Sequence, residues 1–467
     1  TVCDPEYANL LHATAQAATD PEPIRAARLP VAAELAGPHS VETFVAYALA
    51  QNPRVQAARK RVEAKASRVP QAASLDDPTL GVNGYPFSPY ELQTVGGRST
   101  VNVMVEQTFP WFGKLEAGSC AAEAETDMAR AELIAAELEV IEQVKRTYYE
   151  LAFVQQAIAL TERSRELMVQ ISEVAETKYR TGTVSEQDLL RAQVEVSHVD
   201  SDLIRLRQQR QSTRAQLARW LHVSPETELI AADDLLEEEI PQDVERLYQQ
   251  AILARPELHA QLAAVRRDHH QVELAHLRYF PDVTLNGMWG GMARSGALSP
   301  VADGLPMVSI GAQINVPIYR KKLEAGVREA EAQAVSSARE YDALKDRTEA
   351  EIKDLFAQAL SQKALADLFR QDIVPKAEQT LDVSLAAYRV GQTDFLQLID
   401  NWRQLLKFQL TLHQLESQLR QTLSSLERVV GGTMPATSRQ DASTTSSVPV
   451  PPVLAASNTS TRESLPR

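Results

Sequence analysis

Lys114-Leu115-Glu116-Ala117-Gly118 recurs unchanged as Lys322-Leu323-Glu324-Ala325-Gly326, 208 residues further on. The marks around it recur too. Asn52-Pro53 answers to Arg255-Pro256, and Asp77-Pro78 to Pro281-Asp282. Tyr179-Arg180-Thr181-Gly182 returns as Tyr388-Arg389-Val390-Gly391. The apolar series Leu189, Val196, Val199, Leu203, Leu206 maps onto Leu398, Leu405, Phe408, Leu412, Leu415. Order is kept and the offset hardly drifts, so the chain carries a duplicated unit. The period far exceeds the roughly 20–50 residues of solenoid repeats, and implies a two-fold pseudosymmetric protomer.

Working outward, Lys114 to Arg180 contains no proline, and its only glycine is Gly118. Leu133, Ala136, Val140, Val144, Tyr148 and Leu151 have helical spacing. The stretch predicts one helix about 100 Å long at 1.5 Å per residue. Gly182 ends it, and a third helix follows over 185–222 with a coiled-coil seam. Ser40 as N-cap predicts a first helix running to Ser74. Repeat 2 predicts helices over 242–279, 321–388 and 394–430. One long helix against two shorter ones end to end is the expected packing.

Each repeat also carries a strand pair, over 79–85 and 101–106, then 282–289 and 308–316. Val308, Ile310, Ala312, Ile314 and Val316 share one face; Ser309, Gly311, Gln313 and Asn315 share the other. A soluble sheet covered by a helix would give such alternation. So would a sheet with lipid on one side and water on the other. Four strands cannot close a membrane barrel, for which eight is about the minimum. Open edges are not tolerated in lipid, so the second reading requires oligomerisation, and three copies give twelve strands. Trp289, Tyr85 and Tyr90 are candidate interfacial aromatics. The loops 86–97 and 291–306 are rich in Gly, Ser and Pro.

Composition agrees with long helices: charged residues are 24% and aromatics 6%. A net charge of −14 argues against a nucleic-acid partner. No run of 18 apolar residues predicts a transmembrane helix, which leaves barrel strands open. The chain begins at Thr1 rather than Met, as if a targeting segment were removed or omitted. Cys3 suggests a lipid anchor, although Val2 is bulkier than the small residue that normally precedes one. Cys120, in an Ala-rich helix, reads as a small buried residue. The expected organisation is an extended segment over 1–39, repeat 1 over 40–222, and an acidic linker over 223–241 with at most a short helical turn. Repeat 2 covers 242–432, and 433–467 is a Ser/Thr/Pro-rich tail unable to build a core.

Several stretches carry a family resemblance: Gln51-Asn52-Pro53-Arg54-Val55, Arg255-Pro256-Glu257-Leu258, Tyr279-Phe280-Pro281-Asp282-Val283-Thr284-Leu285 and Val316-Pro317-Ile318-Tyr319. Leu323 through Glu331 and the hairpin Tyr179 through Ala192 complete the set. Together they resemble the TolC-like outer-membrane efflux proteins, the outer membrane factors of tripartite pumps. The resemblance implies a mainly α fold with four transmembrane β-strands per chain. It implies a homotrimer whose shared barrel crosses the outer membrane of a Gram-negative-type bacterium. Long helices would form a periplasmic tunnel that meets a periplasmic adaptor protein and an inner-membrane pump. No catalytic residue and no cofactor are implied.

The resemblance also assigns residues. The hairpin tips Gly182, Thr183, Asp188, Gly391, Gln392 and Thr393 would contact the adaptor. Asp400 matches one of two acidic pore positions; Gln397 occupies the other, and Asp394 or Glu186 is near enough to substitute. Tyr388 and Arg389 would latch neighbouring helices, or serve only the turn, as Tyr179 and Arg180 suggest. A ring of Asp400 would attract cations. Val308, Ile310 and Ile314 would face lipid. Glu106-Gln107-Thr108-Phe109-Pro110-Trp111-Phe112-Gly113-Lys114 looks like the subgroup serving heavy-metal exporters, with organic toxicants, drugs or a secreted product as other cargoes. Two other classes remain. A soluble coiled-coil scaffold explains the helices but not the strands. An enzyme has only scattered groups such as His269, His270 and His276, which equally suit a solvated helix face.

Overall fold

The computed structural model describes residues 35–84, 92–94, 97–232, 240–241, 243–293 and 304–432. Cys3, Tyr85, Tyr90, the acidic run 233–239 and the tail 433–467 lie outside the described residues.

The chain opens with β1 (Gly37–His39), then α1 (Val41–Gln51), α2 (Pro53–Ala66) and α3 (Arg68–Ala73). This corrects the single helix expected over 40–74. A residue before proline is pushed out of the helical region, and Asn52 has ψ 124°. It caps α2 instead: its side chain accepts from Arg54 N–H at 2.9 Å and donates to Trp220 O at 2.8 Å. Repeat 2 breaks at the matching place. Arg255, with ψ 116°, separates α6 (Val244–Ala254) from α7 (Pro256–Leu277).

Helix α4 (Lys114–Arg180) is continuous over 67 residues. Its antiparallel partner α5 (Glu186–Leu221) starts at Ser185, whose side chain accepts from Asp188 N–H. The corresponding helix of repeat 2 is not continuous. It comprises α8 (Arg320–Leu368), a π turn over Phe369–Ile373, and α9 (Val374–Arg389). Pro375 is the cause: it has no N–H to give and its ring crowds the preceding turn, so the ladder widens just before it. Helix α10 (Phe395–Val430) closes the set. Gly431 ends it at φ +93°, its backbone pressed against the α6–α7 junction: a Cβ there would stand 2.5 Å from the Ala254 carbonyl.

A second correction concerns the linker. Leu229–Ala231 forms β5, which pairs in parallel with β1, where a helical turn was expected. Tyr148 holds this small sheet to α4. Its hydroxyl donates to His39 O at 3.1 Å and accepts from Ala232 N–H at 3.0 Å. Phe44, Val144, Leu151, Leu217, Leu221 and Leu229 pack around it in the largest apolar core.

The main sheet contains β2 (Thr79–Gly84), β4 (Gly97–Phe109), β6 (Val283–Ala293) and β7 (Met307–Ile314) in the order β2-β4-β6-β7. A short β3 (Leu92–Thr94) pairs with the outer end of β4. All pairings are antiparallel. β4 and β6 run past the expected bounds into the loops, whereas β7 stops at Ile314, short of the expected 316.

Register sorts the two faces. Val82, Val103, Trp289 and Val308 form one cross-strand row; Leu80, Val105, Gly287 and Ile310 form the next. Cross-strand partners share a face, so this face is apolar. It is also bare: Leu80 is 69%, Val308 68% and Ile310 88% exposed. The opposite face carries Asn102, Glu106, Thr108, Thr284, Asn286, Ser309 and Gln313, interleaved with methionine and glycine.

Candidate functional site

Two places concentrate constraints: the junction where strands become helices, and the hairpin tips some 67 residues of α4 away.

At the junction, Asp282 binds three segments. It accepts from Trp111 N–H at 2.8 Å and from Lys114 Nζ at 2.6 Å, and its own N–H donates to Asn315 Oδ1 at 2.5 Å. Through its carboxylate and its backbone N–H, Asp282 thus ties the end of β4 and the start of α4 to the start of β6 and the end of β7. Burial pushes the Asp282 carboxyl up, but the Lys114 and Trp111 hydrogen bonds outweigh it and hold it below the usual range. Trp111 stacks on Phe280 with ring centroids 5.3 Å apart. Phe112 beside it is 87% exposed. The sequence marked Asp282 and Lys114 only as repeat landmarks. Their partnership spans 168 residues and no local pattern announces it.

At the tips, the two repeats close alike. Gly182 (φ +73°) and Gly391 (φ +78°) take the left-handed conformation. Thr183 N–H bonds to Lys178 O, and Gln392 N–H to Ala387 O, both at 2.9 Å. This six-to-one closure over a left-handed residue satisfies the last helix carbonyls, and glycine adopts it without steric penalty. Gly182, Thr183, Gly391 and Gln392 are exposed, Asp188 and Thr393 partly so.

The two tips also grip each other. Met168, Ile171, Ala175, Ala192 and Val199 pack with Leu381, Tyr388, Phe395, Leu398, Ile399 and Trp402. Tyr388 is buried, not exposed on the tip surface, whereas Arg389 is exposed. Burial, with Asp188 and Asp394 nearby, pushes the Tyr388 hydroxyl up to about 12. The Lys178 ammonium donates to Tyr388 O and sits 4.5 Å from the centre of its ring. Lys178 escaped sequence reasoning because Ala387 occupies the matching place in repeat 2.

One helical turn beyond, Arg403 reaches across from α10 to Glu195 on α5 through two hydrogen bonds, one of 3.0 Å. Asp400 lies 3.6 Å from the same guanidinium. Gln397 donates to Asn401 at 3.1 Å, and Asn401 donates to Ser384 at 2.6 Å. Asp394 caps α10 without a side-chain hydrogen bond, and its side chain is exposed. The structure therefore gathers Asp400, Gln397, Asp394 and Tyr388 on one short stretch. It adds Glu195 and Arg403, which in the sequence look like ordinary solvated helix charges.

The histidines are separate from both places. His269 and His270 lie on α7, and His270 pairs with Glu273 at 3.0 Å. Among the described residues no group of three or more His, Cys, Asp or Glu is placed to hold a metal ion. No described helix is long and apolar enough to cross a membrane.

The family model described as "Outer membrane efflux protein" matches residues 45–221 and 247–432. The cobalt-zinc-cadmium resistance protein CzcC of Cupriavidus metallidurans is 23% identical over 399 residues, covering 85% of this chain and 91% of its own. Nodulation protein T of Rhizobium leguminosarum bv. trifolii is 23% identical over 389 residues, covering 78% and 79%. Among solved structures, the outer membrane protein VceC of Vibrio cholerae superposes with a TM-score of 0.70 at 22% identity, covering 84% of this chain and 96% of that one. CusC superposes with a TM-score of 0.70 at 17% identity, covering 85% and 94%. The fold is that of outer-membrane channels, which are passive conduits and not enzymes, and the chain belongs to the outer membrane efflux protein family.

Proposed function

We propose that three copies of this chain form a single duct, each giving four strands to a shared outer-membrane barrel and two helical hairpins to a periplasmic tunnel. The bare apolar face of the sheet carries the reading. Leu80, Val105 and Ile310 are 69%, 47% and 88% exposed on one face, and among the described residues β2 and β7 end the strand order with unpaired outer edges. Such a sheet needs lipid against its face and another copy against each edge. The polar face then lines the lumen, and Phe112 beside Trp111 anchors at the headgroup level.

In this reading the chain is two repeats, 40–222 and 242–432. The tips Gly182, Thr183, Asp188, Gly391, Gln392 and Thr393 dock a periplasmic adaptor, which couples the duct to an inner-membrane pump. Asp400 and Gln397 line the constriction, with Asp394 at its rim and Tyr388 holding the tip from inside. The charge balance of this belt is specific to the chain. Asp400 and Glu195 share Arg403, leaving one net negative charge per protomer at the constriction and three per ring. The ring attracts cations, though less than a two-carboxylate ring would.

The cargo we assign is heavy-metal cations. Its support is the similarity to CzcC, named for cobalt, zinc and cadmium resistance, together with the acidic constriction. Deleting the gene should raise cellular cobalt, zinc or cadmium and lower the tolerated dose. Unchanged metal content with increased sensitivity to organic toxicants would move the cargo to the second class.

A further inference from the structure

Four of the chain's seven methionines fall on one face of one small sheet. Met104 pairs directly with Met288 across β4 and β6. Met307 pairs with Gly290, two residues along from Met288 on the same face, and Met292 continues the row. In β2, β4, β6 and β7 every large apolar residue whose register puts it on this face is a methionine. The opposite face carries Leu80, Val82, Val103, Val105, Phe109, Leu285, Trp289, Val308, Ile310 and Ile314 and no methionine at all. A face needing only bulk would mix leucine and valine with methionine. The four long strands place neither here and keep the thioether.

We infer that the polar face of the sheet carries a thioether site for a soft monovalent cation, Cu(I) or Ag(I), built on Met104, Met288 and Met307. The inference rests on the duct reading, which makes this face the lumen wall, and it adds soft monovalent cations to the metals the duct would pass. Directly opposed cross-strand residues have Cβ atoms about 4.5–5.5 Å apart, and diagonal ones about 7–8 Å. A methionine has three rotatable bonds and spans such distances readily. Space for that motion is present. Met104 leans over Gly81, its methyl 3.7 Å from where a Cβ would be, and Met307 lies beside Gly290. Met104 and Met307 are 36% and 40% exposed, so both thioethers are reachable from the lumen. Neutral sulfur selects soft cations over hard ones. Two or three thioethers without a thiolate hold a cation loosely, as a conduction site must. Glu106 and Asn286, facing each other one row along on the same face, add a carboxylate and an amide that favour cation approach.

The test uses full-length protein in detergent, labelled with 13C at the methionine methyls. Met104, Met288 and Met307 are assigned through single Met→Leu variants, which conserve volume. Silver nitrate is titrated in chloride-free buffer, with zinc nitrate as comparison. The expected result is that these three methyl signals shift at Ag(I) concentrations at least tenfold below those that move Met128 on α4. Met168, buried in the tip core, and all signals under Zn(II) stay in place. In the M104L/M288L double variant the Met307 response moves to at least tenfold higher Ag(I). Static Met104 and Met288 signals, an equal Zn(II) response, or an unaltered Met307 response in the double variant would overturn the site. Potassium conductance of the same preparation in planar bilayers reports separately on the duct. A conducting trimer with unresponsive methyls refutes only the thioether site. A non-conducting preparation refutes the duct, while the methyl signals still decide the site.

Discussion

Placing one arginine on each face of β7 separates the membrane reading from a soluble one. Ile310 is the most exposed large apolar residue on the sheet, at 88%, and sits in the row Leu80, Val105, Gly287, Ile310 near mid-strand. Ser309, its neighbour, faces the other way beside Met288. A cationic side chain at the midplane of a lipid-facing barrel strand costs about 2–4 kcal/mol. Three copies in a closed trimer bring that to roughly 6–12 kcal/mol, comparable to the roughly 5–15 kcal/mol that holds an entire domain folded. Ile310→Arg should therefore abolish the trimer in the outer membrane. Ser309→Arg points into water and should cost less than about 1 kcal/mol, as substitutions away from the core do. The assay is outer-membrane fractionation with heat-dependent electrophoretic mobility for both variants. Equal recovery of the two trimers would refute the lipid-facing register, and loss of S309R alone would invert it.

Other outcomes follow from single contacts. Asp282 has a lowered carboxyl pKa in the folded state, so the stability it confers is present above the ordinary carboxylate value of about 4 and is lost as pH falls through the folded value. Asp282→Asn should lower the melting temperature at pH 7 and flatten its decline below about pH 4; a parallel decline in both proteins would contradict the junction. Gly431→Val meets the Ala254 carbonyl at a backbone φ of +93°, and should lose at least about 2 kcal/mol in denaturant titration. Gly326→Ala, with nothing within 4 Å, should lose none, so equal effects would dismiss the steric argument. Lys178→Met removes a cation–π contact and a hydrogen bond between the tips, together about 1–3 kcal/mol. The open fraction of single channels should rise severalfold, and an unchanged fraction would mean the tips are held elsewhere. Asp400→Ala should weaken divalent-cation block of conductance, and undiminished block would remove Asp400 from the constriction.

Much of this architecture is legible because its determinants are periodic. The 67-residue α4, the tip glycines and the alternation in β7 are local patterns, and each stands where the sequence puts it. Helix breaks are marked only by single prolines: Pro53, Pro256 and Pro375 all lie inside stretches whose apolar period continues through the interruption. The β1–β5 pair hid because three-residue strands carry too little pattern to register. The site was visible only in part. Tip residues are local and could be named, but their order of burial could not, and Tyr388 lies inside the tip core. Charge partnerships such as Lys114–Asp282 and Glu195–Arg403 join residues 168 and 208 apart. In chains so rich in charged helix faces, nothing marks which charges will meet. The methionine face is a third kind of signal. It is spread over three strands and emerges only once their register is known.

The central claim is that the sheet is an unfinished barrel completed by two further copies. The direct measurement is the protein mass of the particle extracted from the outer membrane, by light scattering with the detergent contribution subtracted. A completed barrel gives about three times the chain mass of 51.6 kDa, falling to a single chain only on heating. A monomer or dimer recovered without detergent would contradict it, because the apolar face bearing Leu80, Val308 and Ile310 would then be covered by the protein itself.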